Sequence, residues 1–364
     1  VHVRVRRRRG QRVDADVVRV LDPGSAAAQP RCRHFGNCGG CRFQDWSYQA
    51  QLDALGARLK ATFAPLQHAI ELGPILPAKS LWHYRNKMDF TFSNRRWIQP
   101  DEPEDAERDF ALGLFPPGWH EKVLDIEHCD ICFEEANPIL SSARELAREA
   151  GLTLRDQREH VGLLRHLILR KAFATGEILV GLVTSSEDPD GARALATRLI
   201  ERHPEITTFV HVVTDRVSCV AIGEEQTVLH GPGVIVERLE GLECEVSAGS
   251  FFQTNTEQAE LLGRTVRELA APRPTDRVLD VYCGGGALSL GLASSVERVF
   301  GIELVEQAID DARRNAARNR IENAEFVVGD AAALLEADAL GGLGIGAPDL
   351  VVVDAPRAGL HPRA

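Results

Sequence analysis

The chain has 364 residues, 44% apolar and 26% charged, with a formal net charge of −11. This near-average composition excludes a largely disordered chain, and the length suggests roughly two or three domains of ~100–200 residues. The negative balance excludes a uniformly basic nucleic-acid coat, and the absence of any apolar run near ~20 residues or of a signal-peptide core points to a cytoplasmic protein off the membrane.

Val1 to Arg9 alternates apolar and basic residues, and Val17 to Leu21 is strand-like before the turn signal Asp22-Pro23-Gly24. Two short strands and a turn are expected over 1–29, the tail of a small β-barrel. Arg4 and Arg6 to Arg9 suit phosphate binding as well as they suit a solvated basic strand. Val1 in place of Met, and the apolar run Leu350 to Val353 just before Ala364, read as cuts through folded units. A fragment truncated at both ends is expected.

Cys32, Cys38 and Cys41 follow as C-x5-C-x2-C among Gly36, Gly39 and Gly40. In a cytosolic chain such a group favours a metal over a disulfide, and thiolates suit zinc and an iron–sulfur cluster equally. A fourth thiolate, from Cys129 or Cys132, is needed to close either site. The same site could serve only to staple a loop-rich segment. Ser47 is placed to cap a helix carrying Leu52, Leu55, Leu59 and Phe63 on one face.

Residues 77–246 read as mostly β with interspersed helices. Leu163 to Phe173 and Glu177 to Thr184 predict a hairpin across Ala174-Thr175-Gly176, and Thr208 to Val213 with Val217 to Ile222 a second pair. Asp101 to Asp109 reads as a solvated acidic loop, and Cys219 and Cys244 as small core residues.

From residue 275 strands and helices alternate. Asp276 to Tyr282 is a buried strand entering the turn Cys283-Gly284-Gly285-Gly286, followed by a helix and a strand over Arg298 to Leu304. A helix from Val305 to Ala316 and strands over Glu325 to Val328 and Asp349 to Asp354 complete an open parallel α/β sheet. Glu303 ends the second strand, where an acid can bond a ribose diol; Asp330 and Asp354 follow the third and fourth. Position 289 is Ser, so the third glycine of a dinucleotide fingerprint is missing. S-adenosylmethionine, which has no pyrophosphate to cradle, fits better. The bland alternative is that Asp330 and Asp354 only cap turns. Cys283 reads as packing.

Five segments together resemble the bacterial 23S rRNA (uracil-5-)-methyltransferases. They are the cysteine group 32–41, Tyr84-Arg85-Asn86-Lys87, Ser250-Phe251-Phe252-Gln253-Thr254-Asn255, Leu279-Asp280-Val281-Tyr282-Cys283-Gly284 and Asp354-Ala355-Pro356-Arg357-Ala358-Gly359. The resemblance implies an incomplete class I S-adenosylmethionine-dependent methyltransferase (Rossmann-like) domain over 247–364. Before it come a mostly β iron–sulfur domain over 30–246 and a TRAM-type RNA-binding barrel remnant over 1–29. It assigns Cys32, Cys38, Cys41 and Cys129 to a [4Fe–4S] cluster. The donor falls against Gln253, Tyr282, Glu303, Asp330 and Asp354, with Tyr282 in place of a usual Phe and Ala287 in place of a frequent Asn.

The implied reaction is methylation of C5 of a uridine in 23S rRNA by a monomeric enzyme. A cysteine thiolate adds to C6 and a carboxylate base takes the C5 proton. Both residues are expected beyond Ala364, so the fragment is expected to be inactive and the strand ending at Asp354 to be an exposed apolar edge. Arg85 and Lys87, beside Tyr84 and Trp82, combine cations and rings suited to splayed RNA, or form an ordinary surface turn. A tRNA uracil methyltransferase that keeps the cluster, and a non-catalytic RNA-binding iron–sulfur protein, are the rival readings.

Overall fold

Alternating Val and Arg, a period of two, builds the first elements of the computed structural model. Strands β1 (His2–Arg9) and β2 (Arg12–Arg19) pair antiparallel. The chain reverses after Gly10, whose φ of +59° lies where a side chain is disfavoured. The second strand therefore starts at Arg12, upstream of the expected Val17, and Asp22-Pro23-Gly24 follows it. The structure describes all residues except 11, 67, 100–101, 218–222, 224, 336–340, 342–345, 356–358 and 360–364.

The chain divides into two compact units, Val1–Lys79 and Ser80–Ala364. The first holds the hairpin, the cysteine loop and helix α1 (Tyr48–Phe63). Ser47 caps α1 as expected, its Oγ accepting from Ala50 N at 3.3 Å. No residue of α1 is fully buried, and Leu55 is 54% exposed, so the apolar spacing set the helix without setting a core.

The second unit opens with an eight-stranded sheet. Its strands are β3 (Lys87–Ser93), β4 (Arg96–Trp97), β5 (Ala111–Leu114) and β6 (Val123–Asp125), then β7 (Leu164–Lys171), β8 (Ile178–Thr184), β9 (Ile206–Val213) and β10 (Glu225–His230). Their spatial order is β10-β9-β8-β7-β3-β5-β6-β4. Helices α2 (Ala136–Glu149) and α3 (Pro189–Arg202) accompany it. The β7–β8 hairpin forms across Gly176 as expected. The antiparallel partner of β9 is β10, downstream of the expected 217–222, most of which lies outside the described residues. A second hairpin, β11 (Val234–Leu239) and β12 (Leu242–Ser247), puts Ile235 and Val246 into a core shared with Ile168, Leu179, Val183 and Val210.

Helix α4 (Thr256–Ala270) leads into the α/β part. Strands β13 (Arg277–Val281), β14 (Arg298–Glu303), β15 (Ala324–Val328) and β16 (Leu350–Val353) alternate with helices α5 (Ala287–Ala293), α6 (Glu306–Arg318) and α7 (Ala331–Leu334). The sheet is parallel throughout, in the order β15-β14-β13-β16. Because both sides of β13 are paired, it reads as a continuous buried run, Val278 to Val281. Among the described residues β16 is an edge, with Val351 50% and Val353 47% exposed.

Candidate functional site

Register gathers the acids. Val281 of β13 lies opposite Ile302 of β14 and Val353 of β16, so Tyr282, Glu303 and Asp354 each stand one residue past a common level. Glu303 in turn pairs with Val328, and Asp330 follows two residues later. All four strand ends point the same way, as parallel pairing requires, and this carboxyl end is where open α/β sheets bind ligands.

The turn after β13 is shaped to let a ligand approach. Tyr282, Gly284 and Gly286 have φ of +68°, +53° and +80°. A non-glycine residue held there stores roughly 1–2 kcal/mol, so the surrounding packing must impose the Tyr282 conformation. Gly286 also lacks room: a Cβ there would sit 3.0 Å from Ala312 Cβ and 3.1 Å from the Phe326 ring. Glu303 clasps the turn from β14, its Oε2 accepting from Gly284 N at 3.2 Å and its Oε1 from Val305 N at 3.0 Å. Asn315 of α6 closes it from behind, donating to Gly285 O at 3.2 Å while its Oδ1 accepts from Glu245 N at 2.8 Å.

Beneath the turn lies a carboxyl group that sequence reading passed over. Asp280 is 1% exposed, and Ser289 Oγ donates to its Oδ2 at 2.5 Å. Burial pushes its pKa up to about 6, and the charges of Asp354 and Glu303 add to the shift, which places the three acids in one electrostatic group. An acid inside the apolar run Val278-Leu279-Asp280-Val281 was the available signal. Cys283 is buried beside Ile309, Ala312 and Phe326, and burial raises its thiol well above the ordinary range. It is packing, as expected.

The remaining candidates fall in different settings. Asp330 does cap a helix, its Oδ1 accepting from Ala332 N at 2.9 Å, and its side chain is exposed. Gln253 and Asp354 are exposed. Arg85 bridges Cys132 and Asn255 through its main chain, and its Nε donates to Lys87 O at 2.9 Å. Lys87 Nζ pairs with Asp89 Oδ2 at 3.0 Å, and burial, with Arg170 nearby, lowers its pKa. Both expected RNA-contacting cations are thus engaged within the protein.

The seven described cysteines form no disulfide, and Cys219 lies outside the described residues. Cys244 is core, its thiol pushed up to about 12 by burial. In the cysteine loop Gly40 N donates to Cys38 Sγ at 3.3 Å, and Cys129 is buried with its main-chain N donating to Asn137 Oδ1 at 2.8 Å. Among the described residues no three His, Cys, Asp or Glu side chains form a group that could hold a metal ion. The expected [4Fe–4S] ligands Cys32, Cys38, Cys41 and Cys129 are thus without support here, and no chemistry is drawn through a cluster. No helix among the described residues is long and apolar enough to cross a membrane.

A parallel sheet with acids at successive strand ends, a glycine turn after the first strand and an acidic clasp from the second defines a class I methyltransferase fold, the S-adenosylmethionine-dependent class. A family model described as a methyltransferase domain matches residues 272–353. The chain is 37% identical over 365 residues to an uncharacterized RNA methyltransferase of Chlorobaculum tepidum, covering 97% of this chain and 74% of that one. An uncharacterized RNA methyltransferase of Porphyromonas gingivalis is 36% identical over 95% of this chain and 76% of its own length. Among solved structures, the Pyrococcus abyssi tRNA (uracil-54, C5)-methyltransferase in complex with S-adenosyl-L-homocysteine matches with a TM-score of 0.72. It is 26% identical, over 99% of this chain and 78% of that one. The chain belongs to the RNA methyltransferase family of these relatives.

Proposed function

We propose that the protein moves a methyl group from S-adenosylmethionine to C5 of a uridine in RNA, and that the RNA is 23S rRNA. The observation that carries the uracil C5 reading is the near full-length likeness to the Pyrococcus abyssi enzyme, joined to the acid group at the strand ends.

The bound donor supplies an electrophilic methyl group on a sulfonium. In this reading Glu303 accepts from the ribose hydroxyls, and its main-chain clasp on Gly284 and Val305 holds the carboxylate ready for them. Tyr282 offers an aromatic wall, and Gln253, Asp330 and Asp354 offer polar contacts. The acids also set a negative field that favours a cationic donor over its neutral-sulfur product. C5 of uracil is a weak nucleophile, so the proposed route adds a cysteine thiolate to C6. C5 then takes the methyl group, a carboxylate removes the C5 proton, and the thiolate leaves. Cys283 does not supply that thiolate, because its burial disfavours the charged form. The target base must leave its stack to reach the donor.

The choice of 23S rRNA rests on the resemblance carried by the cysteine group, while the tRNA enzyme among the solved structures favours tRNA as the second reading. Incubating the full-length protein with radiolabelled S-adenosylmethionine and unmodified 23S rRNA or tRNA transcripts separates them. Label in 5-methyluridine of the ribosomal transcript is the expected result, and label in neither RNA counts against both. The [4Fe–4S] proposal rests on the resemblance, since the cysteine spacing suits zinc equally. Anaerobically purified protein without iron and sulfide would dismiss it.

A further inference from the structure

The linker between β12 and α4 is tied to the rest of its unit at Ser250, Phe252, Gln253 and Thr254, and again at Thr256, the first residue of α4. Arg170, 2% exposed, donates to Ser250 O. Phe252 packs against the core of the eight-stranded sheet. Thr254 O accepts from Asn86 N at 2.9 Å. Thr256 Oγ1 accepts from Asn86 Nδ2 at 3.0 Å and donates to Glu237 Oε2 at 3.0 Å. Glu237 is 1% exposed and is itself fixed, accepting from Phe173 N at 2.7 Å and Ala174 N at 2.8 Å. Phe251 is 71% exposed and Gln253 is exposed, whereas Asn255 turns back on the chain, its Oδ1 accepting from Gln258 N at 3.1 Å.

Asn86 is the centre of these ties. It is 5% exposed, and its second amide hydrogen goes to Gln253 O at 2.9 Å. Both donors of Nδ2 are spent on two oxygens of the segment, and the main-chain carbonyl of Asn86 accepts from Lys171 N at 2.9 Å. It has no donor left for RNA, although it stands in the Tyr84-Arg85-Asn86-Lys87 motif. The Gln253 carboxamide, by contrast, makes no hydrogen bond to any described residue, while the carbonyl of the same residue is held. A fixed main chain beneath an unengaged side chain is how a protein presents a contact without spending entropy when the ligand arrives.

We propose that Asn86 is a positioning residue that sets Gln253 for the methyl donor, backed by Thr256 and Glu237. The inference rests on the reading of Gln253 as a donor contact. Replacing the Asn86 amide by a carboxylate keeps the shape but turns a double donor into an acceptor: the bond to Gln253 O is lost, and Thr256 Oγ1 can bond the new carboxylate only by turning its hydrogen away from Glu237.

The test is a double-mutant cycle on the full-length protein, read by calorimetric S-adenosylmethionine binding and by the melting temperature without ligand. Gln253→Ala and Asn86→Asp should each raise Kd about tenfold. The double variant should bind no more weakly than Gln253→Ala alone, because Asn86 then has nothing left to position. A general structural defect would instead multiply the two losses, and that outcome, or unchanged binding by Asn86→Asp, overturns the proposal. Unchanged binding by Gln253→Ala removes the donor reading of Gln253 and the proposal with it. Should Asn86→Asp fail to fold, Thr256→Val withdraws one anchor and must show the same non-additivity with Gln253→Ala.

Discussion

Ser289 Oγ lies 2.5 Å from Asp280 Oδ2, joining the start of α5 to the middle of the central strand, and both residues are buried. The position that lacks a dinucleotide fold's third glycine thus holds the hydroxyl that bonds one oxygen of the buried acid. Burial keeps the folded pKa of Asp280 at about 6, above the ~3.9 of an unfolded chain. A pKa raised on folding adds stability that is complete below the unfolded value and is lost as pH rises through the folded one. That difference corresponds to about 3 kcal/mol, lost between pH ~4 and ~6. Urea unfolding of the parent and Asp280→Asn across that range should differ by this increment, and parallel stability curves would count against it.

Glu303 and Asp330 separate ligand binding from local structure. Glu303→Gln keeps the shape but weakens both the clasp and the ribose contact, and Kd for S-adenosylmethionine should rise roughly 10- to 100-fold, as charged hydrogen bonds of about 1.5–3 kcal/mol imply. Asp330→Ser keeps a cap for α7, so stability should stay within about 0.5 kcal/mol while donor affinity falls. Unchanged affinity in calorimetry would leave Asp330 a cap and nothing more.

Gly286→Ala places a Cβ against Ala312 and Phe326 at a φ of +80°. The strained backbone and the contact should together cost about 1–3 kcal/mol, read as a lower urea midpoint with an unchanged slope. An unaltered midpoint would show that the turn has room the structure does not display.

Cys283→Ala addresses the thiol nearest the acids. As a buried packing residue it should cost stability by about 1 kcal/mol and leave methyl transfer by the full-length protein within a few-fold of the parent. Complete loss of transfer in a variant that still melts cooperatively would point to Cys283 as the nucleophile.

Much of the α/β part was legible because each signal there is local. Val278 to Val281 is an apolar run, Val305 to Ala316 has helical period, and glycines mark the turn between strand and helix. The pairing of β9 with Glu225–His230 was not legible, since pairing across a loop depends on distant packing and that strand is polar and mostly exposed. Arg85 and Lys87 looked free in sequence, yet the fold spends Lys87 on Asp89 and Arg85 on a main-chain carbonyl. Asn86 carried no sign of its role because its partners are about 170 positions away, at Gln253 and Thr256. Hydrogen bonds of that range are set by topology, which residue types alone do not reveal.

The claim on which the rest depends is methyl transfer to C5 of a uridine. Mass-spectrometric mapping of ribosomal and transfer RNA from a strain lacking the gene, and from the same strain carrying it again, reads this directly. One 5-methyluridine of 23S rRNA should disappear in the first and return in the second. An unchanged complement of 5-methyluridine in both RNAs would contradict it.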